Sequence, residues 1–244
     1  MDDFLNALRF LTRLPVPGIT NTAAANSPEQ VPWYGMVGFS IGLVLCAVSW
    51  LLNDISPMVS AALVLIVWIW ITGALHLDGL ADCGDAWMSG TRGVRFLEIL
   101  RDVQCGAGAL VWVVAIIVTK FAALSVLLGF DQWLGLLFVP VMARIAVQVA
   151  VFRVPYARPA GLGAPLHNGV DGLMTLAVSG GLLLALGVIS LPALADAILA
   201  TALAFGLVYV MLVRRAGGFT GDIYGALIEI SETSVLVALA LTFQ

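Results

Sequence analysis

The sequence predicts an all-α fold: a polytopic integral membrane helical bundle of about seven transmembrane helices, plus one interfacial helix on the cytoplasmic face. Apolar residue types make up 61% of the 244 residues and charged types only 11%, whereas soluble domains have about 45–50% and about 25%. The mean hydropathy is +1.05. This composition excludes a soluble enzyme and a disordered chain. The formal net charge of −4 argues against a nucleic-acid partner.

Seven apolar segments are long enough to cross the hydrocarbon core as helices, which takes about 20 residues each. They are residues 34–52, 59–77, 108–130, 133–152, 173–191, 197–213 and 223–243. Residues 1–33 form an N-terminal cytoplasmic segment, and Asp2 and Asp3 are not typical of a cleavable signal peptide. We expect residues 1–244 to form a single membrane-embedded domain.

The arginines predict the orientation of the bundle. When the seven crossings alternate, every basic residue outside them falls on one side: Arg9, Arg13, Arg92, Arg95, Arg101, Arg153, Arg158, Arg214 and Arg215. The short loops on the other side, residues 53–58, 131–132 and 192–196, carry none. Cytoplasmic loops carry the excess of Lys and Arg, so the arginine-bearing side is expected to face the cytoplasm.

An acidic cluster, H-L-D-G-L-A-D-C-G-D (76–85), follows the second crossing. On a helix, Asp78, Asp82 and Asp85 share a sector of about 60°. Two such charges about 6 Å apart repel by about 2.8 kcal/mol at an effective dielectric of about 20. Mg²⁺ suits carboxylates that lie beside phosphates, so the cluster predicts a magnesium site. The alternative is a solvated helix end that Arg92 and Arg95 neutralise.

Residues 92–104 are amphipathic and predict an interfacial helix along the membrane surface. Asp102 leads into a glycine-rich turn before the third crossing, so it can return toward the first acids. Residues 78–107 are therefore expected to form an acidic active-site loop with its interfacial helix, and Asp102 is included in the site. For Glu98, a solvated ion pair is an equally good interpretation.

Lys120 and Arg144 lie inside apolar segments, where an unpaired charge costs at least about 2.5–3.5 kcal/mol. Such residues either bind phosphate groups of a substrate in a polar cavity or form structural ion pairs with acids. The sequence leaves both interpretations open.

Residues 214–232 form a second acidic and glycine-rich motif that opens with R-R-A-G-G-F-T-G-D. Its glycines suit an anion-binding nest, and Asp222, Glu229 and Glu232 suit a second ligand set on one helix. The alternative is that the arginines mark the positively charged end of the sixth crossing and the glycines form a flexible turn. The residues predicted to bind substrate are Arg13, Arg92, Arg95, Lys120, Arg144, Arg214, Arg215, Gly218, Thr220 and Glu229.

An acidic metal site ringed by arginines at a cytoplasmic membrane face favours transfer of a phosphodiester group. Two alternatives remain. A CDP-alcohol phosphotransferase expects D-x-x-D-G-x-x-A-R, whereas here glycine follows the first aspartate. A cation- or proton-coupled transporter would use Lys120 and Arg144 to line a pathway, but the charge lies mostly on one face.

Six motifs together resemble the cobalamin synthase family. They are F-L-T-R-L-P-V-P (10–17), W-Y-G-M-V-G (33–38), G-A-L-H-L-D-G-L-A-D-C-G-D (73–85), L-E-I-L-R-D (97–102), P-Y-A-R-P-A-G-L-G (155–163) and G-G-F-T-G-D-I-Y-G-A-L-I-E-I-S-E (217–232). The resemblance runs nearly end to end, and its L-D-G-L-A-D and G-G-x-T-G-D blocks are specific in this order. Departures from the family pattern are Val103 where serine is frequent and Ala86 where glycine is common.

The resemblance implies an adenosylcobinamide-GDP ribazoletransferase in the bacterial inner membrane, with its active site facing the cytoplasm. Such an enzyme joins adenosylcobinamide-GDP to α-ribazole, or its 5′-phosphate, releases GMP and depends on Mg²⁺. It implies Asp78, Asp82 and Asp85 as metal ligands and Asp102 or Asp222 as the catalytic base. Its implied partners are the two substrates, the lipid bilayer and other membrane-associated corrinoid-assembly enzymes.

Overall fold

The computed structural model of the chain describes residues 2–16, 27–102, 104–158, 161 and 163–242. These residues are mainly helical, and the β contact among them is an isolated bridge between Tyr156 and Phe219. The predicted all-α class is confirmed. The helices are α1 (Asp2–Leu11), α2 (Tyr34–Leu51), α3 (Pro57–Thr72), α4 (Leu75–Met88), α5 (Val94–Ile99), α6 (Ala107–Gly129), α7 (Phe138–Arg153), α8 (Gly172–Ile189), α9 (Leu191–Val208), α10 (Arg214–Ala216) and α11 (Gly221–Thr242).

Shorter helical turns extend several of these helices. 3₁₀ turns at Pro28–Trp33 and Trp133–Leu137 lead into α2 and α7, another spans Ala164–His167, and a π turn at Tyr209–Val213 joins α9 to α10. Among the described residues, six segments are long and apolar enough to cross a membrane: Pro28–Leu51, Ala107–Gly129, Trp133–Arg153, Gly172–Ile189, Leu191–Ala216 and Gly221–Thr242. They correspond to six of the predicted crossings, and residue 243 of the last one lies outside the described residues.

The second predicted crossing, 59–77, is wrong as a single straight helix. The α3 helix ends at Thr72, and α4 leaves at 90° to it. The cause is two successive residues with left-handed backbone, Gly73 (φ 61°) and Ala74 (φ 56°), a conformation that ends a helix. The bent pair α3–α4 makes a seventh crossing if it is counted as one span. The acidic cluster itself is helical, because Asp78, Asp82 and Asp85 all lie on α4.

Further boundaries differ from the sequence prediction. The first crossing begins at Pro28 rather than residue 34, because the 3₁₀ turn Pro28–Trp33 continues into α2. The sixth crossing begins at Leu191 rather than 197, because Ser190 caps α9 and Pro192 lies in its first turn, where proline is tolerated. The interfacial helix predicted over 92–104 is only α5, Val94–Ile99, and residue 103 lies outside the described residues. On α5, Phe96 is fully buried, so this short helix is held against the bundle by its apolar face.

The α11 helix lies at the centre of the bundle, where it packs against α4, α6, α7 and α9. Glycines let α4 approach its neighbours closely. A Cβ at Gly79 would lie 2.7 Å from the carbonyl oxygen of Asp222 on α11, and one at Gly84 would lie 2.7 Å from the carbonyl oxygen of Gly108 on α6. Both glycines therefore serve helix packing. The α4 helix is thereby clamped between α6 and α11.

We expect Gly79→Ala to lower the free energy of unfolding by about 1–3 kcal/mol, because the added methyl overpacks the contact between α4 and α11. The matched control is Gly180→Ala in α8, where a Cβ meets no atom within 4 Å and the better helix propensity of alanine should be neutral or stabilising. Thermal unfolding of both variants in detergent micelles measures the difference. A Gly79→Ala protein as stable as Gly180→Ala would contradict the tight contact.

Candidate functional site

Four of the predicted carboxylates line one cavity of about 320 Å³ beside α4, which we call the carboxylate cavity. Asp78, Asp82 and Asp85 contribute from one face of α4, as their spacing requires, and Asp102 contributes from the segment after α5. Arg101 and Gln104 also line this cavity. The structure thus brings the four carboxylates together, and their roles in metal binding stay a prediction.

Asp85 has a structural role that the sequence did not indicate. Its carboxylate accepts hydrogen bonds from the backbone N–H groups of Gly106 (2.7 Å) and Ala109 (2.9 Å) at the start of α6. These N–H groups have no partner within the helix, and the helix dipole favours a negative charge there. Asp85 therefore ties α4 to α6. Each carboxylate oxygen has a second lone pair, so this capping leaves room for a metal bond.

Asp78 and Asp82 are the unpaired acids of the carboxylate cavity. Within the described ranges, neither side chain has a hydrogen-bond or salt-bridge partner. Asp82 lies within electrostatic range of three acids, Asp78, Asp85 and Asp222, and of one cation, Arg158. The excess of negative charge at this range favours a bound cation. In the same ranges, no three His, Cys, Asp or Glu side chains are arranged to hold a metal ion by themselves. Mg²⁺ usually takes one or two carboxylates and completes its shell with water and substrate phosphates, so this donor set fits a shared Mg²⁺.

Asp222 stands at the start of α11 and is paired with a cation. Arg158 Nη1 lies 3.4 Å from Asp222 Oδ2, and Arg158 also donates a hydrogen bond to the carbonyl oxygen of Leu97. Thr220 Oγ1 donates to Asp222 Oδ2 at 3.2 Å and accepts the N–H of Ile223 at 3.3 Å. The hydroxyl thus caps α11 and positions the carboxylate, and Arg158 forms an ion pair with it.

A second cavity, of about 160 Å³, adjoins the first and shares Asp78 with it; we call it the inner cavity. Side chains of α1, α2, α4, α7 and α11 line it, most of them apolar, and Asp222 also lies in its lining. Tyr224 forms part of its wall, with its hydroxyl 2.8 Å from His167 Nε2. Partial burial lowers the pKa of His167, so the imidazole is neutral at pH 7.

Lys120, Arg144, Glu229 and Glu232 form a buried charge cluster inside the bundle. Lys120 Nζ lies 2.7 Å from Glu229 and 2.6 Å from Glu232, and Arg144 is paired with Glu232. None of these side chains is more than 5% exposed. The sequence left open whether Lys120 and Arg144 bind phosphate or form structural ion pairs, and the structure shows ion pairs. Lys120 and Glu229 line neither cavity, whereas Arg144 also lines the inner cavity.

The glycine-rich segment before α11 is held by a loop on the same side of the bundle. A Cβ at Gly218 would lie 2.5 Å from the carbonyl oxygen of Pro155. The neighbouring Phe219 exchanges backbone hydrogen bonds with Pro155 (2.9 Å) and Ala157 (2.8 Å). The close approach at Gly218 is therefore needed for this pairing, which fixes the start of α11. The predicted anion-binding nest at Gly218 and Thr220 stays a prediction.

The remaining predicted arginines lie outside both cavities. Arg215 donates to the carbonyl oxygen of Trp87 at 2.9 Å and lies over its ring. Arg95 pairs with Glu98 at 3.0 Å on the exposed face of α5. The residues of this group that line neither cavity are Arg13, Arg92, Arg95, Arg214 and Arg215. Substrate binding by them stays a prediction.

Sequence reasoning did not assign a site role to Arg158, Arg101, Tyr34 or His76. Arg158 pairs with Asp222, and the other three line the cavities. Glu229 and Glu232, predicted as part of a second ligand set on α11, lie in the buried charge cluster instead. His76 carried the best local signal, because it stands two residues before Asp78. Tyr34 and Arg158 stand in the quoted motifs 33–38 and 155–163, but both reach the site only through tertiary packing.

Comparison with known proteins gives a consistent result. Residues 3–240 match the family model described as cobalamin-5-phosphate synthase. The chain is 41% identical to the adenosylcobinamide-GDP ribazoletransferase of Pseudomonas paraeruginosa, covering 99% of this chain and 98% of that protein. It is 42% identical to the protein of the same name from Pseudomonas aeruginosa (97% of both chains) and 35% identical to that from Acinetobacter baumannii (100% and 98%). No solved structure matches the chain.

We expect Glu232→Gln to lower the free energy of unfolding by about 3–5 kcal/mol, because it leaves Lys120 and Arg144 buried with one carboxylate between them. The exposed pair provides the control: Arg95→Gln should change stability by less than about 1 kcal/mol. Thermal unfolding in detergent micelles measures both. Equal stabilities of the two variants would show that the buried cluster is not what holds α11 to α6 and α7.

Proposed function

Since the chain belongs to the cobalamin-5-phosphate synthase family, we propose that it is a transferase that joins adenosylcobinamide-GDP to α-ribazole, or to its 5′-phosphate, and releases GMP. The observation that carries this proposal beyond the family match is the junction of the two cavities at Asp78. One cavity is rich in carboxylates and suits a metal-bound diphosphate, and the other is largely apolar and suits a second, less polar reactant. Neither a CDP-alcohol phosphotransferase nor a transporter is favoured by the family match.

The transfer forms one bond and breaks another at a single phosphorus atom. A ribose hydroxyl of α-ribazole attacks the phosphorus attached to cobinamide, the new P–O bond forms, and the P–O–P bond to GMP breaks. The hydroxyl proton passes to a carboxylate acting as general base. The electron pair of the broken bond leaves with GMP.

Mg²⁺ is proposed as the cofactor, held by Asp78 and Asp82, with Asp102 in the same cavity and Asp85 as a further ligand through its free lone pairs. When bound, the ion neutralises charge on the diphosphate. The support is the donor set: Asp78 and Asp82 have no partner among the described residues, and hard oxygen ligands suit Mg²⁺.

Asp222 is proposed as the proton acceptor, a choice that the sequence left open between Asp102 and Asp222. Asp222 lines the inner cavity, whereas Asp102 lines only the carboxylate cavity. Arg158 Nη1 lies 3.4 Å from the Asp222 carboxylate and Thr220 donates a hydrogen bond to it, so the carboxylate is held in place at the cavity wall. Asp102 is then proposed as a metal ligand rather than the base.

The proposed location is the bacterial inner membrane with the active site facing the cytoplasm. The membrane-spanning helices support a membrane protein, and the one-sided distribution of arginines supports the orientation. Contacts with other membrane-associated corrinoid-assembly enzymes stay a prediction.

The test of the proposed function is GMP release by purified protein in detergent or liposomes. We expect GMP only when adenosylcobinamide-GDP, α-ribazole and Mg²⁺ are all present, and we expect chelation by EDTA to stop the reaction until Mg²⁺ is restored. Asp82→Asn removes a proposed ligand and should reduce transfer at least about 100-fold at low Mg²⁺ while leaving membrane insertion intact.

The control for that variant is Glu98→Gln, which neutralises an exposed acid that lines neither cavity and should keep wild-type turnover. GMP release without α-ribazole would indicate a hydrolase. Wild-type turnover by Asp82→Asn, or full activity in EDTA, would remove the metal proposal.

The choice of base predicts different kinetics for two variants. Asp222→Asn should lower kcat by about 10²–10⁴-fold with little change in KM for adenosylcobinamide-GDP, and added Mg²⁺ should not rescue it. Asp102→Asn should instead raise the Mg²⁺ concentration needed for half-maximal rate. If saturating Mg²⁺ restores Asp222→Asn but not Asp102→Asn, the two roles are reversed.

A further inference from the structure

The inner cavity contains three buried polar side chains with unused hydrogen-bonding atoms. Tyr34, His76 and Arg144 all line it and are 2%, 3% and 0% exposed. Within the described residues, the Tyr34 hydroxyl, both ring nitrogens of His76, and Nε and Nη2 of Arg144 have no partner. Arg144 uses only its Nη1, on Glu232 and the carbonyl oxygen of Pro140.

Unpartnered polar atoms of this kind are costly and rare. A buried donor or acceptor without a partner costs about 1–3 kcal/mol, and most buried polar atoms of folded proteins have one. Here the three side chains come from three helices, α2, α4 and α7, and converge on one cavity. Such convergence of a few polar groups in an apolar pocket is typical of a ligand site.

The size and walls of the cavity restrict the ligand. Phe10, Leu11, Val147, Leu166 and Ile228 provide apolar wall, and Tyr224 provides an aromatic ring. A volume of about 160 Å³ is close to the roughly 150 Å³ of an apolar cavity that holds benzene. The cavity therefore fits a small aromatic ring system and is far too small for a corrin macrocycle.

The hydrogen-bonding chemistry of the unpartnered atoms restricts the ligand further. The free Arg144 atoms only donate hydrogen bonds, and the Tyr34 hydroxyl and His76 ring can each donate. A neutral ring nitrogen with a free lone pair can accept a hydrogen bond from one of these donors. We propose that the inner cavity binds the aromatic base of α-ribazole, with its free ring nitrogen facing these donors. This assignment rests on the proposed function and adds to it which substrate occupies which cavity.

The shared residue gives the assignment a mechanistic consequence. With the base in the inner cavity, the attached ribose lies toward Asp78 and Asp222, the two acids that line that cavity. Asp78 also lines the carboxylate cavity, where the diphosphate is proposed to bind. The nucleophilic hydroxyl is thereby presented at the boundary between the two cavities.

Tyr34→Phe tests this assignment with little risk to folding, because the hydroxyl it removes has no partner in the described structure. We expect KM for α-ribazole to rise about fivefold, the loss of one neutral hydrogen bond, while KM for adenosylcobinamide-GDP stays unchanged. The matched control is Tyr209→Phe, an exposed tyrosine on the π turn, which should leave both KM values unchanged. An unchanged KM for α-ribazole, or a rise confined to adenosylcobinamide-GDP, would overturn the assignment.

A second variant and a ligand probe test the assignment without relying on the Tyr34 hydroxyl alone. Val147→Phe fills the cavity and should raise KM for α-ribazole more than Tyr34→Phe does. Free benzimidazole should inhibit wild-type protein competitively against α-ribazole and not against adenosylcobinamide-GDP; the reverse pattern would place the other substrate here. Absence of GMP release by wild-type protein would defeat the proposed function itself, whereas an active wild type with an unaltered Tyr34→Phe defeats only this inference.

Discussion

The direct backbone contact between α4 and α11 is the constraint on which the site depends. Gly79 faces the backbone of Asp222 so closely that a Cβ would lie 2.7 Å from its carbonyl oxygen, and a Cβ at Gly225 would lie 3.0 Å from the carbonyl oxygen of His76. These contacts join two acidic motifs that are far apart in sequence. They also bound the inner cavity, since Gly79, Asp222 and Gly225 all line it. Any side chain at these glycines would separate the two helices and with them the carboxylates.

Charged side chains buried inside the bundle are paired with opposite charges, whereas carboxylates outnumber basic groups beside the carboxylate cavity. Lys120 and Arg144 are matched by Glu229 and Glu232 in the buried cluster, because an uncompensated charge there costs several kcal/mol. The cluster also sets the rotation of α11. Glu229 lies seven residues after Asp222, a spacing of about 700°, so the two acids share a helix face. Pairing Glu229 internally therefore turns Asp222 toward α4.

Periodicity and hydropathy predict those features that depend on one helix alone. The common face of Asp78, Asp82 and Asp85 follows from helical rotation, and six crossings follow from apolar length. The break at Gly73 and Ala74 was missed because hydropathy carries no information on backbone angles, and leucines continue beyond it. Ion pairs between different helices could not be predicted from hydropathy either. Several acids were possible partners for Lys120, and only the packing of the helices selects Glu229 and Glu232.

The placement of the arginines changes how negative charge must be handled in the carboxylate cavity. The alternative to a metal site was that Arg92 and Arg95 neutralise the acids, yet neither lines the cavity, and Arg101 is the basic residue that does. Four carboxylates against one guanidinium leave a negative surface there. A diphosphate would be repelled by such a surface unless a cation came with it. A divalent ion shared between carboxylates and phosphates would remove both repulsions at once. This supports the proposed metal, rather than the predicted arginines, as the partner of the diphosphate in this cavity.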